Sequence, residues 1–172
     1  YIFPYLKYVF YDPLIQVLHI SDTQSGLLLT MYAIGCVILY IPGGILADKM
    51  NPKKALMLSL AVATILTGAF AVTILLDLPG SVAYGISLVI WLLIAFASGF
   101  VFWTAILKAI RIIGTEEEQG TMYGIYYAAN GTTAAIIAAV NLWAYNAGGG
   151  DSNMKSGFFW AVVSMAAFTL LA

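Results

Sequence analysis

Five stretches of the chain carry no Asp, Glu, Lys or Arg: 23–47, 55–76, 78–107, 119–150 and 156–172, of 25, 22, 30, 32 and 17 residues. A helix that crosses a bilayer needs about 20 predominantly apolar residues. Four stretches meet that length outright, and the fifth stops where the chain stops. Residues 1–19 are apolar and aromatic too, interrupted by Lys7 and Asp12. None shows the alternation over about ten residues that marks a membrane β-barrel strand. The pattern predicts an all-α polytopic membrane protein, with spans at about 1–19, 24–46, 54–76, 83–112, 121–146 and 156–172.

The connections are polar and turn-forming. Ser21 or Asp22 can cap the second helix. Asp77-Leu78-Pro79-Gly80 is a turn, Gly114 and Glu116–Gly120 form a polar link, and Gly148–Asn153 is a flexible loop. Connections 2–3 and 4–5 hold Lys49, Lys53, Lys54, Lys108 and Arg111, against Lys155 alone in the others once Lys7 is set aside within its span. The positive-inside rule therefore expects connections 2–3 and 4–5 to be cytoplasmic. The chain starts at Tyr1 and stops in the apolar run Leu170-Leu171-Ala172, so the expected reading is a fragment with incomplete first and last helices.

Composition narrows the class. Hydrophobic residues are 62% and charged residues 9%, where soluble proteins average about 45–50% and about 25%. Too few charges remain to clothe a soluble enzyme. An aromatic content of 14% argues against disorder. A net charge of −1 supplies no basic face for nucleic acid, and a lone cysteine makes no disulfide scaffold.

The second connection reads Gly43-Gly44-Ile45-Leu46-Ala47-Asp48-Lys49-Met50-Asn51-Pro52-Lys53-Lys54. It resembles the signature loop of the major facilitator superfamily, roughly G-x-L-A-D-[RK]-x-G-[RK]-[RK]. Gly44, Leu46, Ala47, Asp48, Lys49, Lys53 and Lys54 match, at the short loop after the second helix. Asn51 replaces the second glycine, a substitution that a left-handed backbone tolerates, and Pro52 stands where a basic residue is usual. Six spans with this loop resemble the N-terminal half of a twelve-helix facilitator. The resemblance implies secondary active transport of a small solute by alternating access. It also implies a missing C-terminal half and points to Asp48 as a gate residue. Gly44, Asp48, Lys49, Lys53, Lys54, Arg111 and Glu118 are the signature-loop and gate candidates: Asp48 and the acidic cluster either exchange ionic partners with Lys49, Lys53 and Arg111, or the charges are a solvated run. Segment 5 lacks the proline-rich motif of drug antiporters, and segment 4 lacks an intramembrane arginine. The stretch Phe102–Arg111, with Glu118-Gln119-Gly120, resembles porters of sugars, sugar acids and organic anions.

Several polar residues sit at membrane depth. Lys7 lies about 18 Å from His19 along a helix. A lysine there needs water, a partner or an anion: it either attracts an anionic solute or pairs with a carboxylate such as Asp12. Tyr1, Tyr5, Tyr8 and Asp12 share one helical face, as solute ligands or as an interfacial belt. Tyr127 and Asn130 share a face of segment 5, and the Asn130 amide needs partners in lipid. Trp103 can stack on a solute or anchor the interface, and Tyr32 is a further cavity candidate. The pairs Ala95/Gly99 and Gly124/Ala128 have helix-packing spacing.

No ligand cluster for a metal, nucleophile–base pair or Walker loop is readable, so neither a cofactor nor an enzymatic activity is expected. The expected partners are a small solute, a coupling proton or sodium ion, and the bilayer, with a bacterial inner membrane as the location. The alternative is a non-transporting sensor or scaffold built on the same fold.

Overall fold

Pro13 divides the first segment. In a continuous helix its nitrogen would face the Val9 carbonyl with no hydrogen to donate, and its ring would crowd that oxygen. In the computed structural model, which describes residues 3–113 and 115–172 apart from the side chains of Ala47, Asp48, Phe100 and Val101, the chain resolves this one turn upstream. A 3₁₀ turn at Phe3–Tyr5 leads into α1 (Leu6–Val9), Phe10 leaves helical geometry at φ −122° and ψ 49°, and α2 (Tyr11–Leu18) restarts. The single helix expected over 1–19 is thus two short ones, and the stripe through Tyr5, Tyr8 and Asp12 is interrupted. Tyr1 and Gly114 lie outside the described residues.

Ser21 and Gln24 then open α3 (Asp22–Lys49) as a reciprocal capping box: the Gln24 amide donates to Ser21 Oγ, and the Ser21 amide donates to Gln24 Oε1. Asn51 caps α4 (Pro52–Leu75), its side chain accepting from the Lys53 amide at 2.9 Å. Asn51 is extended at φ −68°, so the left-handed turn expected there does not form. Capping takes its place, and Pro52 fits the first helical position because its missing N–H has no partner to lose. The fourth segment is α5 (Gly80–Ala95), a π-helix over Phe96–Phe102, and α6 (Trp103–Ile113). Then come α7 (Gln119–Ala147), a 3₁₀ turn at Gly150–Asn153, and α8 (Met154–Leu171).

Among the described residues four helical stretches are long and apolar enough to cross a membrane: Asp22–Leu46, Pro52–Leu75, Gly80–Ile113 and Gly150–Leu171. α7 has the length, with 29 residues, but carries Asn130, Asn141 and several threonines and tyrosines. The fold is all-α and multi-pass. Val37, Ile41 and Ile65 are among many large apolar side chains turned outward, as a lipid solvent permits.

α4 packs on α8, α8 on α7, and α3 on α5 and the π-helix. A train of rings ties the layers together: Trp91 to Phe70 at 5.2 Å, Phe70 to Phe158 at 6.0 Å, Phe158 to Phe10 at 6.2 Å, and Phe10 to Tyr145 at 5.4 Å. Such pairs contribute about 0.5–1.5 kcal/mol each beyond area burial. Lipid competes with helix–helix apolar contact, so close packing matters more than transfer from water. Ala95 and Gly99 serve it as expected, against Gly35 and Cys36 of α3. Gly124 does not: nothing lies within 4 Å of a Cβ built on it.

Candidate functional site

The polar residues at depth fall into three groups. The first surrounds a cavity of about 420 Å³ between the first segment, α4, the π-helix, α7 and α8. One face of α7 supplies Asn130, Thr133, Ala134, Ile137, Ala138 and Asn141, a run at i, i+3, i+4, i+7, i+8, i+11. Tyr5, Phe10, Thr67 and Thr169 stand among the residues opposite. None of the described lining residues carries a formal charge. Asn141 is buried, and its Oδ1 accepts from Ser164 Oγ at 2.6 Å. Thr67 and Thr169 give their hydroxyl hydrogens to carbonyls one turn back. The wall is apolar with a few amide and hydroxyl groups, as in many small-solute sites.

The second group is aromatic. Trp103 lies 6.4 Å from Tyr126 and 6.3 Å from Tyr127, and the two tyrosines are 5.3 Å apart. Trp103 and Tyr127 were both legible as candidates. Tyr126, which completes the cluster, was missed because nothing in the spacing distinguishes it from Tyr127 before α6 is laid against α7. Tyr32 belongs to a third group inside the bundle, its hydroxyl 3.1 Å from Ser98 Oγ.

Lys7 is not on the cavity wall. Its Nζ stands 6.0 Å from the Tyr11 ring centroid, within reach of a cation–π attraction. Tyr11 in turn donates to Asp22 at 2.7 Å. No ion pair joins Lys7 to Asp12 among the described residues. Tyr5 and Tyr8 stack on each other at 6.1 Å, with Tyr8 mostly exposed. The structure thus brings Tyr5 and Asn130 to one cavity, and Trp103 and Tyr127 to one cluster. Lys7, Tyr8 and Tyr32 stand apart from both.

At the other end of the bundle, the loop after α3 is held from α6. Lys108 Nζ donates to the Met50 carbonyl at 3.4 Å, and Ala105 packs on Ala55 beneath it. In the sequence Lys108 counts only as one of the cations of connection 4–5, because the reach from α6 to the loop is tertiary. Gly44 has nothing within 4 Å of a built Cβ, so no helix approaches it here. Lys49, Lys53, Lys54 and Arg111 are exposed, and the Asp48 side chain lies outside the described ones. Glu118 accepts from the Thr115 hydroxyl at 2.9 Å and from its amide at 3.3 Å. These bonds, the hydroxyl's first, hold its carboxyl below the ordinary glutamate value. On the opposite side Lys155 bonds the Leu75 carbonyl at 3.2 Å and pairs with Asp77.

Residues 3–172 match the Major Facilitator Superfamily. The chain belongs to that family, one of membrane transporters rather than enzymes. It is 27% identical over 144 residues to the inner membrane protein YqcE of Escherichia coli K12, covering 83% of this chain and 32% of that protein. It is 27% identical over 168 residues to the inner membrane protein YihN of the same organism, covering 95% and 37%. An uncharacterized MG294 homolog of Mycoplasma pneumoniae is 33% identical over 147 residues, covering 78% and 30%. The chain therefore spans about a third of the length of these relatives. No solved structure matches it.

Proposed function

We propose that residues 1–172 are the N-terminal six-helix half of a twelve-helix facilitator. In this reading it moves a small polar organic solute, such as a sugar, a sugar acid or another organic anion, across a bacterial inner membrane by alternating access. A proton or sodium gradient drives the movement, and connections 2–3 and 4–5 are cytoplasmic. Five of the six spans are those read from the charge-free stretches, and α1 and α2 together make the first.

The observation that carries this reading is α7. It has the length of a span, yet from Gly124 to Ala135 it is mostly uncovered and carries Tyr127, Asn130, Thr132 and Thr133. Amide and hydroxyl groups on a stretch of mostly small residues are poorly suited to lipid. It suits a water-filled cavity with a second half-bundle beyond it. The relatives have room for such a half, being about three times as long as the matched part. Their inner-membrane names favour the location.

Tyr5 and Asn130 of the cavity and Trp103 and Tyr127 of the aromatic cluster are the solute-side residues in this reading, and Lys7, Tyr8 and Tyr32, which stand apart from both, are further candidates. Lys7 attracts an anionic group and the hydroxyls and amide fix orientation. Gly44, Asp48, Lys49, Lys53, Lys54, Arg111 and Glu118 form the cytoplasmic gate. Uptake by the full-length protein in proteoliposomes tests the proposal. A panel of sugars, sugar acids and carboxylates under an imposed ion gradient should include one accumulated above its outside concentration, with accumulation lost in Lys7→Ala if that solute is anionic. Equal levels inside and outside for every compound, with folded protein present, would remove secondary active transport of this solute class.

A further inference from the structure

Seven consecutive residues, Phe96–Phe102, run as a π-helix between α5 and α6. π-Bulges are rare and gather at functional sites, because each stores one residue more than the α-helix around it. The upstream side of this one is clamped. A Cβ on Gly35 would meet the Ala95 Cβ at 2.6 Å, and a Cβ on Gly99 would meet Cys36 Sγ at 3.1 Å. Between these contacts Ser98 Oγ donates to the Ile94 carbonyl at 2.8 Å. Tyr32 Oη lies 3.1 Å from Ser98 Oγ, a hydroxyl pair in which either oxygen can donate, and Tyr32 also hydrogen-bonds the Cys36 thiol. These polar contacts, Tyr32 to Ser98 to Ile94, run from α3 through the π-helix to the last turn of α5.

The downstream side carries the contacts that matter to α6. Trp103 meets Tyr126 and Tyr127, and Lys108 reaches the Met50 carbonyl. Releasing the stored residue would leave α5 where it is. It would turn α6 by about 100° and advance it by about 1.5 Å, the step of one residue in an α-helix. Both contacts depend on which face α6 presents, so both would be lost together.

We infer that Phe96–Phe102 is a register switch. The π form, held by the Tyr32–Ser98 bond, exchanges with an α form in which Trp103 leaves the two tyrosines and Lys108 releases the loop after α3. The switch links a residue inside the bundle to the loop at its end through one rigid turn of α6. It goes beyond the transport reading and does not depend on any solute.

The test is a distance measurement between spin labels at Ile65 and Ile112, two exposed positions on α4 and α6, in the full-length protein in lipid nanodiscs. Given a helix about 10–12 Å across, the turn moves the Ile112 label by up to about 8 Å. Tyr32→Phe and Ser98→Ala should each shift the ratio of two distance populations about fivefold toward the second. Fivefold is what about 1 kcal/mol for one net hydrogen bond implies. Deleting Ala97, which removes the stored residue, should leave the second population alone. A distribution unmoved by both substitutions overturns the inference, whether or not the deletion variant folds.

Discussion

Gly35 of α3 and Ala95 of α5 meet with no space for another methyl group: a Cβ on Gly35 would lie 2.6 Å from the Ala95 Cβ. Real Cβ atoms do not approach so closely, so α3 lies against α5 only because position 35 has no side chain. Gly35→Val should lower stability by about 1–3 kcal/mol, the usual cost of overpacking. The milder Gly35→Ala should be partly restored by Ala95→Gly. Unfolding in lipid or detergent measures both, and a Gly35→Ala variant as stable as the parent would contradict the contact.

Asn141 and Ser164 tie α7 to α8 by a part-buried bond of 2.6 Å, for which the Ala161 carbonyl, 2.7 Å from Ser164 Oγ, competes, and Asn141 Nδ2 has no partner among the described residues. The two ends should respond unequally. Ser164→Ala strands the whole amide and should cost about 1–2 kcal/mol. Asn141→Leu removes the orphaned donor together with the acceptor and should cost less. The reverse order in an unfolding series would show that the amide finds a partner elsewhere.

Much of this fold is written locally. The charge-free stretches place α3, α4 and α7 to within a few residues, because charge is confined to the ends of helices that lie in lipid. Ser21 and Gln24 mark the start of α3 because a cap is a local device. The break at Phe10 was equally local, since Pro13 carries its reason, but an apolar run hides it. What spacing could not supply was partnership. Gly124 and Ala95 look alike in sequence, yet Ala95 meets α3 and Gly124 meets nothing. Lys108 and Met50 are 58 residues apart and meet only when α6 lies over the loop. The π-helix is invisible to periodicity because it is a change of period within one apolar run. Of the solute candidates, Tyr5 with Asn130 and Trp103 with Tyr127 are brought together pairwise, while Lys7 faces Tyr11.

Lys155 has two roles of different weight. Its pairing with Asp77 lies at an exposed surface, where ion pairs contribute about 0.2–1 kcal/mol at most. Its bond to the Leu75 carbonyl also satisfies a helix C-terminus. Asp77→Asn should therefore change stability by less than about 1 kcal/mol, and Lys155→Met by more. Added salt should erase most of the first effect and little of the second, as melting at two ionic strengths would reveal.

Glu118 gives a pH dependence whose sign is fixed. Its folded carboxyl is held below the ordinary glutamate value by the Thr115 hydroxyl and amide. The turn's contribution is full above that ordinary value and is lost as the pH falls through the lowered one. Protection of the Thr115 amide from hydrogen exchange, corrected for intrinsic rates, should fall across that acid window in the parent and stay flat in Glu118→Gln. Parallel profiles in the two proteins would place the effect elsewhere.

The central claim is that α7 borders a cavity open in turn to each side of the membrane. Accessibility measures this without knowing the solute. In full-length protein with Cys36 replaced by Ala, a cysteine at Asn130 or Tyr127 is offered a membrane-impermeant maleimide from one side and then from the other. Alternating access predicts labelling from both sides, slowed from one side by any additive that favours the opposite opening. Labelling from one side only at both positions, or from neither, would contradict the account and favour a static scaffold.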